Sequence, residues 1–503
     1  MTSSPPPKET SGASGTSGLR RGEACTNCRH RKIRCDGVKP ICGPCSQSTT
    51  GRWQECDFVP YSRTATRVLK EQIQSLEAHI EELQAAKSSA DTSARGQQSA
   101  SQGISLVPVG GRDSPQPSQR VWLTAFFERA HDLHFFLDIP RFRQSFQTRS
   151  PAPLPALLDV IYLWGARLSS DTAAQAYESS LLSRSRQSIA MASTAPDTLL
   201  HTMQARLLYG QYCYAIDKNV EGCYHITGAW SLALGTGLHR ITQVNPTRSE
   251  DRERVNAFWH TADLAYLWSC ADGAPMPVSC TRDMTVLTPW PGAPPTPSIE
   301  GRGTIGDFFA GHEDAGVGSL ALLSKAAVLL HRCTSFRVDT TGDALANEGI
   351  DMQVQTLDEV ITALGQRLPP FPDEAGPLRA ALLTHTTLRV AVIQLHTPLS
   401  DLNPSSRRQR AVAARAIARM ASEANIARLG YLNPLMAAMW AAACHALIDE
   451  LVLLRGTNPA EDVREWLGAL GALEEAMKIF APRCPIFESK LAIVRQVRVA
   501  VGI

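Results

Sequence analysis

Six cysteines between positions 25 and 56 carry the densest chemistry in the sequence: Cys25, Cys28, Cys35, Cys42, Cys45 and Cys56. Their spacing is C-x2-C-x6-C-x6-C-x2-C-x10-C. Two C-x2-C pairs, each followed by a further cysteine, form a metal-binding grammar that points to zinc. A structural zinc takes four ligands. Six thiolates therefore satisfy one ion with two sulfurs to spare, or two ions if two sulfurs bridge. The near-repeat C-x2-C-x6-C favours the second solution, with Cys25 and Cys42, the first cysteines of the two halves, as the natural bridges. Thiolates must lose protons to bind metal, so binding and folding of this short, apolar-poor stretch are one event. A redox C-x-x-C would require a βαβ context that the sequence does not offer.

Basic residues crowd between the second and third cysteines: Arg29, Arg31, Lys32 and Arg34, with His30 among them. A purely structural zinc knuckle has no need of them. A short helix between Cys28 and Cys35 is expected to turn the four cations outward. A basic helix end suits the major groove of double-stranded DNA, where Lys or Arg meets guanine O6 and N7, while neighbouring cations neutralise phosphates and set register. The competing reading of such a run is a solvated face or a nuclear-import signal. Charge distribution supports the DNA reading. Residues 1–70 hold twelve Lys/Arg against five Asp/Glu, a balance of +7, while the whole 503-residue chain carries only +2. A basic head on a mildly acidic body assigns the polyanion to the head.

The rest of the chain must carry and pair this unit. Residues 1–22 are rich in Ser, Gly and Pro and read as disordered, 23–58 as the zinc cluster, and 59–68 as a linker. Leu69, Ile73, Leu76, Ile80 and Leu83 then step by 4, 3, 4 and 3. That is a heptad seam with Ile at a and Leu at d, which favours a parallel two-stranded coiled coil over 69–87 and hence a homodimer. The alternative is one amphipathic helix packed on its own chain. Residues 88–118 are a polar, disordered linker.

From 119 to 503 the pattern is helix after helix, with apolar residues at i, i+3 and i+4 and proline breakers between. Expected helices include 121–133, 155–169, 173–193, 197–215, 221–236, 251–270, 318–335, 351–366, 376–396, 406–427, 431–455, 460–479 and 485–500. Residues 280–317 are the longest irregular insertion. The fold class is all-α: a small zinc cluster, a short coiled coil and a large helical domain. At 44% hydrophobic and 19% charged, the composition is that of a globular protein. The N-terminus lacks the apolar core of a secretory signal. The most apolar stretch, Leu435 to Leu454, carries His445, Asp449 and Glu450 and reads as a buried core helix, so no membrane partner is expected. The seven cysteines outside the cluster read as small core residues.

The motif C-T-N-C-R-H-R-K-I-R-C-D-G-V-K-P-I-C-G-P-C, closed by Cys56, resembles the fungal binuclear zinc cluster of transcription regulators. The resemblance implies two zinc ions sharing six cysteines, with Cys25 and Cys42 bridging. It implies that Lys32 reads a CGG triplet, that Arg31 beside it approaches bases or backbone, and that Pro40 turns the loop between the halves. The ten residues between Cys45 and Cys56 exceed the six to nine usual in that family. The body resembles the all-helical fungal transcription factor regulatory domain at L-H-F-F-L-D-I-P-R-F-R-Q-S-F (133–146), A-W-S-L-A-L-G-T-G-L-H-R (229–240) and R-V-N-A-F-W-H-T-A-D-L-A-Y-L-W (254–268). At G-A-P-M-P-V-S (273–279) it departs from the arginine-proline pair common there.

The expected function is a nuclear, zinc-dependent, sequence-specific transcription regulator of the RNA polymerase II type, binding paired CGG-like half-sites as a homodimer. The competing reading makes the body a metabolite sensor or enzyme that uses the cluster only as a DNA address, with a small-molecule effector on the helical domain. His225, His239, His260 and His331 are the candidate ligands or bases for that case. No H-E-x-x-H, P-loop, G-x-S-x-G or dinucleotide fingerprint accompanies them, and no enzymatic activity is expected.

Overall fold

The computed structural model describes residues 24–25, 28, 32–47, 56, 117–148, 153–245, 247–271, 284–294, 301–312, 315–339, 349–454 and 460–503. The chain divides into two units, Met1–Gly111 and Arg112–Ile503. Among the described residues every regular element is a helix, as the apolar periodicity requires. The heptad seam at 69–87 and the linkers on either side of it lie outside the described residues.

In the first unit, the short helix α1 (Gly43–Ser46) follows directly on Cys42. Pro44 sits in its first turn, where a missing N–H costs nothing. The N–H groups of Cys45 and Ser46 donate to the Cys42 carbonyl at 3.0 and 2.9 Å. The apolar content of this unit is the six cysteines with Ala24 and Ile41 half-buried against them.

The second unit is one continuous helical core. It opens with α2 (Pro117–Phe127), α3 (Ile139–Thr148), α4 (Pro155–Leu168), the single turn α5 (Thr172–Gln175) and α6 (Glu178–Ala190). α7 (Leu199–Ala215), α8 (Asn219–Gly235) and α9 (Ser249–Ala271) follow. After the irregular segment and the short α10 (Gly303–Phe309) come α11 (Ser319–Asp339), α12 (Ile350–Arg367) and α13 (Ala375–His396). α14 (Pro404–Glu423), α15 (Leu435–Leu454), α16 (Ala460–Phe480) and α17 (Pro485–Ala500) complete it. Several starts are written locally. Pro155, Pro404 and Pro485 stand at the first position of their helices, and the Asn403 side chain accepts the Ser405 N–H at 2.8 Å.

Neighbouring pairs, α2 with α4, α7 with α8 and α11 with α13, pack closely along the chain. α2 and α4 meet at Gly165, where a Cβ would lie 2.2 Å from the Trp122 carbonyl oxygen; only glycine admits that approach. Buried tryptophans anchor the core and satisfy their N–H groups where they can. Trp164 donates to Leu208 O at 2.8 Å and Trp259 to Pro289 O at 2.7 Å. α15 is long and apolar enough to cross a membrane, yet Leu435, Met436, Trp440, Cys444, Leu447 and Leu451 are all buried against neighbouring helices. It is a core helix.

Three details differ from the sequence expectation. The helix expected over 173–193 breaks between Gln175 and Glu178. Ile139–Thr148 is helical although no helix was expected there; Pro140 lies in its first turn, where proline is harmless. The insertion at 280–317 contains α10 and is stitched down. Leu287 N–H donates to His239 O at 2.8 Å, and the Thr288 hydroxyl donates to Leu238 O at 2.5 Å. Of the other cysteines, Cys213, Cys270, Cys333 and Cys444 are buried, Cys484 is half-buried and Cys223 is exposed, while Cys280 lies outside the described residues.

Candidate metal centre and nucleic-acid interface

The structure gathers Cys25, Cys28, Cys35, Cys42, Cys45 and Cys56 into one buried cluster with no disulfide among them. Two quartets stand out: Cys25, Cys28, Cys35 and Cys42, and Cys25, Cys42, Cys45 and Cys56. Within each, the sulfurs lie within 4.8 Å of one another, and the two sets share Cys25 and Cys42. The Cys25–Cys42 separation is 3.7 Å, Cys28–Cys42 is 3.5 Å, and Cys42–Cys56 is 3.8 Å. A tetrahedral ion bound at about 2.3 Å from each sulfur sets sulfur–sulfur edges of about 3.8 Å, so the spacing fits zinc.

The backbone prepares these sulfurs for negative charge. The Cys28 N–H donates to Cys25 Sγ at 3.4 Å, and the Cys42 N–H donates to Cys56 Sγ at 3.5 Å. Cys56 is drawn in when its own N–H donates to the Pro40 carbonyl at 2.7 Å, so the long spacing before it does not keep it from the cluster. The Lys39–Pro40 peptide is cis. Without a cation the thiols cannot all ionise. Burial pushes Cys42 and Cys56 up and Cys28 up to about 12. Burial also opposes the Cys25 thiolate, but hydrogen bonds from the Cys28 N–H and the neighbouring thiols bring it down to about 6. Packing several thiolates together is stable only with a cation to neutralise them. The cluster binds zinc.

Asp36 is a structural residue that sequence reasoning missed. Its carboxylate accepts the Gly43 N–H at 2.9 Å, at the start of α1, and the Val38 N–H at 3.2 Å. It thereby ties the segment after Cys35 to the second half of the cluster. A Cβ at Gly43 would lie 2.4 Å from Asp36 Oδ2, so glycine leaves room for the clasp. An acidic residue immediately after Cys35, with a glycine immediately after Cys42, is the signal that could have found it.

Of the four expected DNA contacts, Arg29 and Arg31 lie outside the described residues. Lys32 and Arg34 are exposed, but not on the outward face of a helix that runs on to Cys35. Lys32 has a left-handed backbone, with φ of 52°, and the Ile33 N–H donates back to Cys28 O at 3.0 Å. That bond closes the helical turn at Cys28, in the manner of a helix C-terminus. Lys32 and Arg34 are thus presented from the segment beyond the turn, and cations suit that end of a helix.

The four candidate histidines of the body do not converge. His225 stacks edge-on against Tyr209 on α7, and His331 lies flat against Tyr266 on α9. His239 sits in the turn after α8, and His260 packs on His134. Among the described residues, the groups able to hold a metal are all cysteines of the cluster.

Comparison with known proteins matches residues 23–63 to the fungal Zn(2)-Cys(6) binuclear cluster domain and residues 123–263 to the fungal specific transcription factor domain. The transcriptional activator protein acu-15 of Neurospora crassa is 38% identical over 69 residues, covering 13% of this chain and 7% of that protein. The chain thus spans only a small part of the curated relative it matches. One match falls on the cysteine cluster and the other within the helical body, the two domains found in fungal binuclear zinc cluster transcription factors.

Proposed function

We propose that the protein is a nuclear, zinc-dependent, sequence-specific DNA-binding transcription regulator that acts as a homodimer on paired CGG-like half-sites. The observation that carries this reading is the pair of cysteine quartets sharing Cys25 and Cys42, with exposed Lys32 and Arg34 beside them. Cys25, Cys28, Cys35 and Cys42 would hold one zinc, and Cys25, Cys42, Cys45 and Cys56 the other. The metal supplies the charge compensation that lets six thiolates sit together. The chain's own residues do the reading: Lys32 at guanine edges, with Arg29, Arg31 and Arg34 at bases and phosphates. The seam at Leu69, Ile73, Leu76, Ile80 and Leu83 would pair two clusters and set the half-site spacing.

A gel shift of the full-length protein on paired CGG sites tests this reading. Lys32→Ala should cost about 1–3 kcal/mol of binding, and wild-type affinity in that variant would remove Lys32 as the base reader. For the dimer, Leu76→Pro should give monomers with half-site affinity by sedimentation; an unchanged mass would make the seam an ordinary packed helix. The body would transmit the state of a bound small-molecule effector, a reading favoured by a cavity of 1060 Å³ between its helices.

A further inference from the structure

A large cavity of the helical body is built where distant parts of the chain converge. Its wall comes from the turn after α2, the first half of α9, the start of α11, the proline-rich turn before α13, the first half of α13, and the segment entering α15. At 1060 Å³ it is just above the roughly 300–1,000 Å³ typical of small-molecule sites. Much of the lining is apolar, including Phe135, Phe136, Leu323, Leu383, Leu432 and Met436.

The polar groups in this wall fall into two sets. Most of the charged ones already have partners, and Glu128, which has none among the described residues, is exposed to solvent. Arg379 and Asp132, both largely buried, pair at 2.8 Å, and Arg379 also donates to Leu429 O. Arg252 meets Asp138 at 3.4 Å, and Glu253 accepts the Asp138 N–H and pairs with Arg141. The neutral ones are left over. Asn433, 6% exposed, uses its Oδ1 to accept the Leu435 N–H, which leaves its buried Nδ2 without a partner. The Tyr431 hydroxyl and His260 Nδ1 are likewise buried and unpartnered among the described residues. His260 packs edge-on against His134 at 5.4 Å, and burial keeps both rings neutral.

Unpaired buried donors beside matched charges define a ligand class. A buried donor without an acceptor is costly, and here several face one apolar space. A carboxylate or ammonium entering its buried part would meet no free buried counter-ion, Glu128 being exposed, and would have to be desolvated. We propose that this cavity binds an uncharged, largely apolar small molecule whose carbonyl or hydroxyl oxygens accept hydrogen bonds from Asn433 Nδ2 and Tyr431 Oη, with His260 completing the polar end. The proposal deepens the effector reading above and rests on it for its regulatory meaning. Binding itself is measured without DNA.

Full-length, zinc-loaded protein is titrated with Nile red, an uncharged apolar dye carrying a ring carbonyl, and the dye is displaced with progesterone or laurate. One saturable site is expected, emptied by progesterone and about tenfold less readily by laurate, which is anionic. Ala381→Trp, which fills the cavity from α13, should abolish the saturable phase. Tyr431→Phe should weaken it about three- to tenfold while leaving the thermal midpoint unchanged or higher, since it removes only an unpaired buried hydroxyl. Absence of a saturable site, wild-type dye affinity in folded Ala381→Trp, or equal displacement by laurate would overturn the proposal. If Ala381→Trp does not fold, unchanged affinity in Tyr431→Phe overturns it alone. A protein that binds dye and progesterone at the cavity, yet whose CGG binding and reporter output ignore progesterone, keeps the site and overturns the effector reading instead.

Discussion

The cysteine cluster and the helical body are held together by different physics. In the cluster, six sulfurs are the core, and only Ala24 and Ile41 pack partly against them. In the body, a continuous apolar core runs from Trp122 to Val494 and includes the fully buried Trp164, Trp230, Trp259 and Trp440. The cluster has no second source of stability once its charge compensation is gone. The body spreads its stability over many contacts, so that no single one is decisive. The unit that would read DNA is thus all-or-none with respect to metal, while the unit that would regulate it tolerates local change and can keep a cavity.

The sharpest way to break this contrast is chelation. Stripping the full-length protein of zinc should abolish DNA binding and the fold of the cluster while leaving the body's thermal transition in place. If the body melts with the cluster, the two are not energetically separate. The reverse experiment is next in size. Trp440→Ala should destabilise the body by about 3–5 kcal/mol in a thermal or denaturant melt, with zinc content unchanged. Loss of zinc in that variant would count against the separation.

Acid should sharpen the contrast further, because each unit meets protons differently. In the body, burial depresses His134 from 6.5 to about 4. The unfolded chain accepts a proton there that the folded chain refuses, so the contribution is full above pH 6.5 and falls away as pH drops towards 4. It amounts to at most about 3 kcal/mol. His134→Asn removes the titration and keeps a residue that tolerates the φ of 56° found there. Its stability should fall less steeply between pH 6.5 and 4, as followed by circular dichroism of the chelated protein. An unchanged slope would assign the acid sensitivity to other groups.

The local chemistry of both units was legible in the sequence because it depends on short spacings. The six cysteines, their two-half pattern and the basic run between Cys28 and Cys35 are all within 32 positions. The long helices of the body announced themselves by apolar periodicity, since a helix buries one face whatever it packs against. α3 was not among the expected helices; it is only ten residues long and carries Pro140 in its first turn, where proline is harmless.

What the tertiary structure alone decided is convergence. Asp36 reaching Gly43, and Cys56 reaching Pro40, are contacts between segments whose meeting no periodicity encodes. The left-handed backbone at Lys32 set Lys32 and Arg34 beyond the closing turn rather than along a helix. In the body, Asp132 and Arg379 stand 247 positions apart yet pair across the cavity rim, and His134 meets His260 only because the turn after α2 folds onto α9. The sequence by itself determined which residues could bind metal, carry charge and form helices, because those are properties of single side chains and their near neighbours. Which buried donors were left without partners around one apolar space was decided only when every helix had taken its place, since satisfaction of a polar group depends on all of its surroundings.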